Sequence, residues 1–498
     1  MEMDPNYGTN YAGKAARRLC RTGMLPDNEP MVLKKGDTVI FFEKTSKANV
    51  STPCVVQVSA PGLAGNVLAG DKIFIDDGLL SFTVTKSNLE WVECHVDNSG
   101  WLKNFKGINL VAGQASTDTS IRSKPSSGSF LRKSDREDLA LAVEMDVEWV
   151  TVSCIRNAQD VQEINAFLAK ETAARGKSGK PGRVRTLAKI ENKAGVDNFE
   201  GILAEADGII VDRGYLGVEI DLACLAAIQR NLVERCLYAG KPILIANHVL
   251  ERMCELPRPG RSEAADIAAT VELGVDGFIL SAETAVGLYP IEALQWLRRI
   301  CTESEHLLHA NNFVAGKLIR QQQSYGDKHV TVPISESIAS STVKCAREVN
   351  AAVVIVSTEA GGMARLIAKY RSSTAIIAGC ADDTVAGQLC ISYGILPHVV
   401  KHASASNGST PSIAAAASPS PATVIQGALH LAHDLGLLQS GDKAVVASGQ
   451  VDGFLDGSST FMQVLTVGDG CAAIHPASDE EELISEQDEQ SQKSNEQD

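Results

Sequence analysis

Three zones of the chain differ in how their apolar residues are spaced. Between residues 23 and 113, short runs of β-branched and aromatic residues are separated by turns rich in Gly, Asp and Asn. Runs of this kind are typical of strands in all-β domains. The zone therefore predicts a small β-barrel or β-sandwich built on the runs DTVIFFE, VVQVSA, DKIFIDD, LLSFTVTKS and LEWVECHVD.

From about residue 131 the pattern changes to apolar runs that alternate with helical segments. The segment SDREDLALAVEMD has helical spacing, and Ser134 is its expected N-cap. Uninterrupted apolar runs between amphipathic helices indicate parallel strands covered on both faces, as in a β/α barrel or a doubly wound sheet. The predicted strands are WVTVSCI (149–155), VRTLAKI (184–190), GIIV (208–211), PILIAN (242–247) and GFILSA (277–282).

A third zone, from about residue 330 to 470, again predicts alternating strands and helices. Its strand-like apolar runs are AAVVIVST, TAIIAGC, LPHVVK and AVVASG. A stretch of Ala, Ser and Pro at residues 403–423 interrupts these runs, and its low complexity predicts a flexible loop.

Composition narrows the class of protein. The chain has 498 residues, 44% of them hydrophobic, which predicts about two to four domains with cores of their own. No apolar run reaches the ~18 residues of a membrane helix, and the first 25 residues hold no apolar stretch of signal-peptide length. Twelve cysteines without a CxxC pair favour a reducing compartment. We therefore expect a cytoplasmic protein with no membrane partner.

The formal net charge of −15 is unevenly distributed. From Asp479 to Asp498 the chain holds nine acidic side chains and one lysine, a net charge of −8. This predicts a disordered acidic tail at residues 476–498, which either keeps the protein in solution or docks a partner. The sequence offers no basic face, so we expect no nucleic-acid partner.

Lys189 and Glu191 stand two residues apart at the end of a predicted strand, in TLAKIENKAG. The period of a strand puts both side chains on one face. At the carboxyl end of a barrel strand, an ammonium and a carboxylate could act on a phosphoryl group and a hard cation. Spacing alone favours the other interpretation, an ordinary surface ion pair.

A second candidate is the segment ADGIIVDRGYLGVEI, where a strand runs into Gly214 and Gly217 before a helix. Backbone N–H groups at such a helix start can bind an anion. A simple turn that needs glycine for steric reasons explains the same residues. Both interpretations stay open at the level of this segment.

Taken in order, several segments resemble the pyruvate kinase family, from about Arg21 to about Val467. The segments KIFIDDGLLSFTV and FKGINLVAG resemble the cap domain of that family, and KIENKAGVDNFEGILAEADGIIVDRGYLGVEI resembles its active-site stretch. KPILIANHVLERMCELPRPGRSEAADIAATVELGVDGFILSAETAVGLYP resembles the long signature that follows, and STEAGGMARLIAKYR resembles the start of the effector region. The order and spacing of all these segments carry the resemblance.

The resemblance implies an α/β fold: a (β/α)8-type barrel with an inserted β-barrel cap domain and a C-terminal α/β domain. Residues 149–282 would supply barrel strands four to eight. Only 20 residues precede Arg21, so we expect the barrel to be incomplete at its N-terminal end, without strands one and two and with no match to the strand-three pattern. Either the sequence lacks its own start, or the barrel is remodelled or completed by a partner. The predicted domains are a barrel remnant (1–21), the cap (22–113), the barrel (114–314), the C-terminal domain (315–475) and the tail (476–498).

The reaction that the resemblance implies is phosphoryl transfer from phosphoenolpyruvate to ADP, giving pyruvate and ATP, with Mg²⁺ and often K⁺. The family's site residues carry over by position. Lys189 would be catalytic and bind the phosphoryl group, Glu191 would hold the metal ion, the backbone of Gly214 and Tyr215 would bind the substrate carboxylate, and Arg21 and Lys106 would contact nucleotide phosphates.

Two replacements weaken this expectation. Tyr215 stands where the family has its second metal-binding Asp, and a protonated phenol is a poor ligand for Mg²⁺. Asn247, a substrate-binding candidate, stands where the family has a Thr, and an amide is no general acid. Asp212 restores a carboxylate three residues before Tyr215, but we expect it to enter the site from another direction. The resemblance thus implies a weakened Mg²⁺ site, and the missing strands imply no K⁺ site.

We therefore expect a pyruvate kinase-family protein with impaired activity, which forms homo- or hetero-oligomers with pyruvate kinase subunits. The alternative is a catalytically inactive pseudoenzyme that assembles with itself or with an active paralogue. A third, weaker hypothesis is a metabolite sensor without turnover.

Overall fold

The structure is a computed structural model, and it describes residues 2–3, 20–25, 29–43, 55–58, 63–64, 67–76, 78–88, 90–111, 130–175, 183–311, 314, 316, 318, 332–400, 421–448, 461–468 and 474–476. The described residues divide into two compact units, the first ending at Thr302 and the second beginning at Glu303. The predicted acidic tail lies outside the described residues except for Pro476, as does the predicted loop at 403–423 except for its last three residues.

The first unit begins with a series of short strands. They are β1 (Glu2–Met3), β2 (Cys20–Arg21), β3 (Met31–Leu33), β4 (Thr38–Glu43), β5 (Val55–Val58), β6 (Lys72–Ile75), β7 (Leu80–Ser87), β8 (Trp91–Val96), β9 (Gly100–Leu102) and β10 (Gly107–Val111).

Most of these strands form the β-rich domain that the sequence predicts. The larger sheet has the order β2-β10-β6-β7-β8-β4-β5, and β3 pairs with β9 separately. Buried and partly exposed residues alternate along the first half of β7, because one face of the sheet covers the core. Phe41 and Phe82 meet edge to face in that core, with ring centroids 5.2 Å apart. The pattern of apolar runs does not predict the strands β3, β9 and β10.

The rest of the first unit alternates strands and helices. It contains α1 (Lys133–Glu144), β11 (Trp149–Val152), α2 (Ala158–Ala174), β12 (Arg185–Ile190), α3 (Lys193–Asp197), α4 (Phe199–Glu205), β13 (Gly208–Asp212), α5 (Arg213–Glu219), α6 (Leu225–Ala239), β14 (Ile243–Ala246), α7 (Arg261–Leu273), β15 (Gly277–Ile279), α8 (Ala282–Ala285) and α9 (Pro290–Asn311), with 3₁₀ turns at Leu222–Cys224 and Glu251–Cys254.

These strands form a parallel sheet in the order β1-β11-β12-β13-β14-β15. All five residues of β13 are buried, as expected for a parallel strand that is covered on both faces. Within the described residues, β1 and β15 are the two outer strands of this sheet. The region predicted as a barrel remnant supplies β1 beside β11 and gives β2 to the cap sheet.

The start of α1 differs from the prediction. The helix begins at Lys133, so Ser134 lies inside it and is not the N-cap. Asp135 takes over the capping role, because its Oδ2 accepts the backbone N–H of Arg132 at 2.9 Å and its carboxylate pairs with the Arg132 guanidinium. A carboxylate in the first turn also suits the positive end of the helix dipole.

The second unit contains α10 (Ile334–Glu348), β16 (Val353–Ser357), α11 (Gly362–Ala368), β17 (Ala375–Cys380), α12 (Asp383–Leu389), β18 (Ile395–Val399), α13 (Pro421–Asp434), β19 (Lys443–Ser448), β20 (Phe461–Val467) and β21 (Ile474–Pro476). Its sheet has the order β18-β17-β16-β19-β20-β21, in which the last two strands run antiparallel. The prediction of an α/β domain is confirmed, but its antiparallel edge was missed. The helix α13 begins at Pro421, so the last three residues of the predicted loop at 403–423 are helical and that end of the prediction is wrong. The fixed φ of proline suits the first turn of a helix.

Among the described residues, no helix has the length and apolar character needed to cross a membrane.

The tight packing around Gly208 in the parallel sheet of the first unit gives a stability prediction. A methyl group on Gly208 would lie 2.7 Å from Leu187 Cδ2 and 3.1 Å from the carbonyl oxygen of Pro242. Gly208→Ala should therefore overpack the sheet and lower the free energy of unfolding by about 1–3 kcal/mol. Chemical denaturation of the purified variant measures this loss.

Gly277→Ala is the matched control, because Gly277 also begins a strand of the same sheet. A methyl group there would lie 3.3 Å from Leu244 Cδ2, the end of a flexible side chain. Equal losses in the two variants would contradict the assignment of a tight contact at Gly208.

Candidate active site

Polar side chains gather where the parallel strands of the first unit end. Lys189 and Glu191 stand at the end of β12, Asp212 ends β13, and Asn247 follows β14. Because the strands are parallel, their carboxyl ends meet at one edge, which is where β/α barrels place their reactive groups. We call these four residues the strand-end cluster.

A buried lysine is at the centre of the strand-end cluster. Lys189 is 8% exposed, and its Nζ lies 3.6 Å from Asp212 Oδ2 and 3.9 Å from Glu191 Oε2. Both contacts are longer than a hydrogen bond, so they act through charge. All three charged groups are buried. Lys189 and Glu191 are therefore not a surface ion pair.

Glu191 is held from the neighbouring strand end. Its Oε1 accepts hydrogen bonds from the backbone N–H of Cys154 at 2.6 Å and from the Cys154 thiol at 2.8 Å. Burial raises the pKa of the Glu191 carboxyl to about 7; Lys189 and the Cys154 hydrogen bonds oppose this rise, and the nearby Asp212 adds to it. Its other oxygen, Oε2, is buried and accepts no hydrogen bond from the described residues.

The sequence did not predict the partners of Asp212. Its carboxylate lies at the end of β13, not in the helix that holds Tyr215, and it is fully buried beside the Lys189 ammonium. Its Oδ1 accepts the Asn247 side-chain amide at 2.7 Å and the backbone N–H of Tyr215 at 3.4 Å. Its Oδ2 accepts no hydrogen bond within the described part of the chain. The only sequence signal was an aspartate at a strand end directly before a helix.

Asn247 connects two strand ends. Its Nδ2 donates to Asp212, and its Oδ1 accepts the hydroxyl of Ser281. The backbone of Asn247 has φ = 64°, in the left-handed region that Asn tolerates better than β-branched residues do. Both ends of the amide are thus engaged within the protein, and Asn247 positions Asp212.

The helix start predicted to bind an anion is capped by the side chain of Asp212. Gly214 and Tyr215 open α5, where Asp212 is the N-cap. The ring of Tyr215 lies at the cap: a methyl group on Gly107 would be 3.5 Å from Tyr215 Cε1 and 3.6 Å from its hydroxyl oxygen. The residue that replaces the expected metal ligand therefore packs against the cap strand β10.

The two candidate nucleotide contacts lie close together in the cap, because Arg21 is in β2 and Lys106 directly precedes the neighbouring strand β10. Arg21 in β2 pairs with Gly107 in β10, the residue after Lys106. The Lys106 ammonium lies 2.8 Å from Asp76 Oδ1 and its side chain is 38% exposed. The structure thus brings both backbones to the end of the cap that faces Tyr215.

Arg213 is a structural residue of the site that sequence reasoning missed. It is buried, and its guanidinium donates to the carbonyl oxygens of Asn247 and His248 and to Asp266 Oδ2. Asn247 and His248 both have positive φ, so their segment needs such support. Arg213 therefore fixes the backbone from which Asn247 reaches Asp212.

The donor set of the cluster suits a hard divalent cation. Glu191 Oε2 and Asp212 Oδ2 are buried carboxylate oxygens without a hydrogen-bond donor among the described residues. No group of three or more His, Cys, Asp or Glu side chains in that part of the chain could hold a metal ion. Mg²⁺ commonly binds through one or two carboxylates together with water and substrate phosphates, so two such oxygens fit it.

Comparison of sequences relates this chain to one group of proteins. The profile described as "Pyruvate kinase, barrel domain" matches residues 15–294, and that described as "Pyruvate kinase, alpha/beta domain" matches residues 336–465. A pyruvate kinase of Bacillus licheniformis is 32% identical over 422 residues, 84% of this chain and 64% of the relative, so the chain spans less than two thirds of that protein. A pyruvate kinase of Dictyostelium discoideum is 33% identical over 458 residues, 90% of this chain and 81% of the relative.

Comparison of structures gives the same result. A crystal structure of a pyruvate kinase from Cryptosporidium parvum matches with a TM-score of 0.71 at 30% identity, over 90% of this chain and 82% of that one. A structure of Cryptosporidium parvum pyruvate kinase in complex with ADP matches with a TM-score of 0.73, at the same identity and coverage.

The raised pKa of Glu191 predicts how the stability of the metal-free protein depends on pH. The carboxyl titrates near 4.5 when unfolded and near 7 when folded. Between these values the folded state holds a proton that the unfolded state has released, so stability falls as the pH rises from 4.5 to 7. Glu191→Gln removes this loss, and the variant should melt at about the wild-type temperature at pH 5 but above it at pH 8. Thermal unfolding with a chelator present measures both.

Glu200→Gln serves as a control for the loss of an exposed carboxylate, because the side chain of Glu200 is 72% exposed. A difference between Glu191→Gln and wild type that stays constant from pH 5 to 8 would contradict the prediction.

Proposed function

This chain belongs to the pyruvate kinase family, and we propose that it transfers a phosphoryl group from phosphoenolpyruvate to ADP at a low rate. The observation that carries the proposal is the buried Lys189, with carboxylates on two sides, at the carboxyl ends of the barrel strands. The profile matches confirm the family that the sequence motifs indicated.

Lys189 supplies the positive charge in the proposed reaction. The bond between phosphorus and the enol oxygen of phosphoenolpyruvate breaks, a bond to a terminal oxygen of ADP forms, and the enolate takes up a proton at carbon to give pyruvate. Catalysis of such a transfer consists mainly of positioning and charge stabilisation. A buried ammonium stabilises the oxygens of the transferring group more strongly than it would in water.

The remaining ligand contacts follow from the positions that match the family. The backbone N–H groups of Gly214 and Tyr215 would bind the substrate carboxylate, for which the Tyr215 N–H would give up its 3.4 Å contact with Asp212 Oδ1. Arg21 and Lys106 would contact the phosphates of ADP. The register of β2 and β10 supports the last pair, because Arg21 is paired with Gly107, the residue that follows Lys106. Glu191 would hold Mg²⁺, which when bound would offset the charge of the phosphate oxygens.

Two features of the site support a low rate. The Lys189 ammonium is already shared by two carboxylates, so part of its charge is compensated before substrate binds. The amide of Asn247 lies where the family has a hydroxyl group, and both of its ends are bound to Asp212 and Ser281. An amide cannot donate a proton to the enolate, so that step would depend on another donor.

The contact of Tyr215 with the cap favours a second candidate, a pseudoenzyme that assembles with itself or with an active paralogue. In this case the barrel and C-terminal domain would serve as assembly surfaces, while the phenol that packs near Gly107 would replace a lost ligand with a packing contact. A cytoplasmic location and association with pyruvate kinase subunits belong to both candidates.

Lys189→Met distinguishes the two candidates. Removing the ammonium should lower the rate of ATP formation from phosphoenolpyruvate and ADP by at least about 100-fold, because the transferring charge loses its buried partner. A coupled assay with excess Mg²⁺ or Mn²⁺, run beside a circular dichroism spectrum of each protein, measures the loss.

Lys193→Met is the matched control. Lys193 follows Lys189 by four residues, but its side chain is 64% exposed and pairs with Asp197. It should retain the wild-type rate. A folded wild-type protein whose rate equals that of Lys189→Met would contradict turnover at this site and support the pseudoenzyme.

A further inference from the structure

We propose that Asp212, positioned by Asn247, is the second carboxylate ligand for a divalent cation in this chain, in the role for which residue 215 provides no carboxylate. The proposal rests on the proposed function, in which phosphoenolpyruvate is the substrate. What it adds, and what its test measures, is the binding of the cation. It is carried by the contacts of Asp212, by the two buried oxygens without hydrogen-bond donors, and by the place of Tyr215.

The strand register brings Asp212 to the site. Asp212 pairs with Ala246 of β14, and Lys189 of β12 pairs with Ile210 two residues earlier in β13. The side chains of Asp212 and Lys189 therefore project at the same edge of the sheet, where their charged atoms lie 3.6 Å apart. The carboxylate enters from the end of β13 itself and not from the helix that follows.

The two oxygens of Asp212 have different surroundings. Oδ1 accepts the Asn247 amide at 2.7 Å, which fixes the orientation of the carboxylate. Oδ2 is buried without a hydrogen-bond donor in the described chain, and so is Oε2 of Glu191. Both of these oxygens lie within 4 Å of the same atom, Lys189 Nζ. The site thus holds one available oxygen from each of two carboxylates, and both oxygens lie beside the Lys189 ammonium.

Charge gives the reason for a cation. Two buried carboxyl groups face a single ammonium, and a buried carboxylate oxygen without a partner is costly. The ammonium is too far from either oxygen for a hydrogen bond. A divalent cation between Glu191 and Asp212 would satisfy both oxygens, and carboxylate oxygens are its preferred protein ligands.

Asn247 is suited to hold Asp212 because its side chain is both donor and acceptor. The Ser281 hydroxyl binds the amide oxygen, so the amide nitrogen must face Asp212. A hydroxyl-bearing residue with a β-branched carbon would also meet strain at φ = 64°. Residues that orient a ligand in this manner commonly change metal affinity by about 10- to 100-fold when removed.

Tyr215 does not compete for this role. Its ring and hydroxyl oxygen lie within 3.6 Å of the place a methyl group on Gly107 would occupy, so the side chain packs at the cap. The three replacements at positions 212, 215 and 247 therefore form one set, in which the carboxylate moves to β13, the amide holds it, and the phenol serves packing.

Binding of Mn²⁺ to the full chain tests the proposal without any turnover. The free ion is counted by electron paramagnetic resonance while it is titrated into protein that lacks phosphoenolpyruvate and ADP. Asp212→Asn should weaken Mn²⁺ binding by at least about 10-fold, because the charge and the open oxygen are lost. Asn247→Gly keeps the positive φ but removes the amide, and should also weaken binding, by a smaller factor.

Asp276→Asn is the matched control, because it removes one carboxylate at the opposite end of the strands, where Asp276 Oδ2 accepts the backbone N–H of Ile243. It should leave Mn²⁺ affinity unchanged. Equal affinity of Asp212→Asn and wild type, tighter binding by Asp212→Asn, or the absence of Mn²⁺ binding by wild type would each overturn the proposal.

The outcome is separable from that of the proposed function. Mn²⁺ binding that depends on Asp212, in a protein without phosphoryl transfer, supports the cation site and overturns the enzyme. Turnover that is lost in Lys189→Met, together with a Mn²⁺ affinity that is unchanged in Asp212→Asn, supports the enzyme and overturns the cation site.

Discussion

The rest of the site depends on how three buried charges are held together at the ends of β12 and β13. Lys189, Glu191 and Asp212 share a region with little access to water, where the Lys189 ammonium offsets the charge of the carboxylates. Removing the ammonium would leave buried carboxylates without a positive partner, which is costly. The surrounding hydrogen bonds reach the carboxylate oxygens that do not face Lys189. Cys154 donates to Glu191 Oε1, and Asn247 donates to Asp212 Oδ1.

The support of this set extends below the strand ends. Arg213 binds the carbonyl oxygens of Asn247 and His248, two residues with left-handed backbone conformations. Strained segments of this kind persist where neighbouring contacts over-determine them, and they are common near functional groups. The charged set, the amide and the arginine thus form one network of charge contacts and hydrogen bonds, and effects of substitutions within it are expected to be non-additive.

The contacts of Tyr215, Asp212 and Asn247 are related to one another. The ring of Tyr215 lies beside Gly107 of the cap. The Asp212 carboxylate reaches Lys189, and the Asn247 amide binds this carboxylate. The aromatic side chain thus packs at the cap, while the two polar side chains connect to the buried charge of the strand-end cluster.

The sequence by itself determined the elements and much of their role. The alternation in LLSFTVTKS predicted a strand with one buried face, the continuous run GIIV predicted a parallel strand, and the period of two placed Lys189 and Glu191 together, because these patterns are local consequences of strand geometry. Tertiary structure alone decided that Asp212 meets Lys189 and Asn247. Those partners lie 23 and 35 residues away along the chain, and they become neighbours only through the order and register of β12, β13 and β14. Register is set by how whole strands pack, which no local pattern around Asp212 encodes.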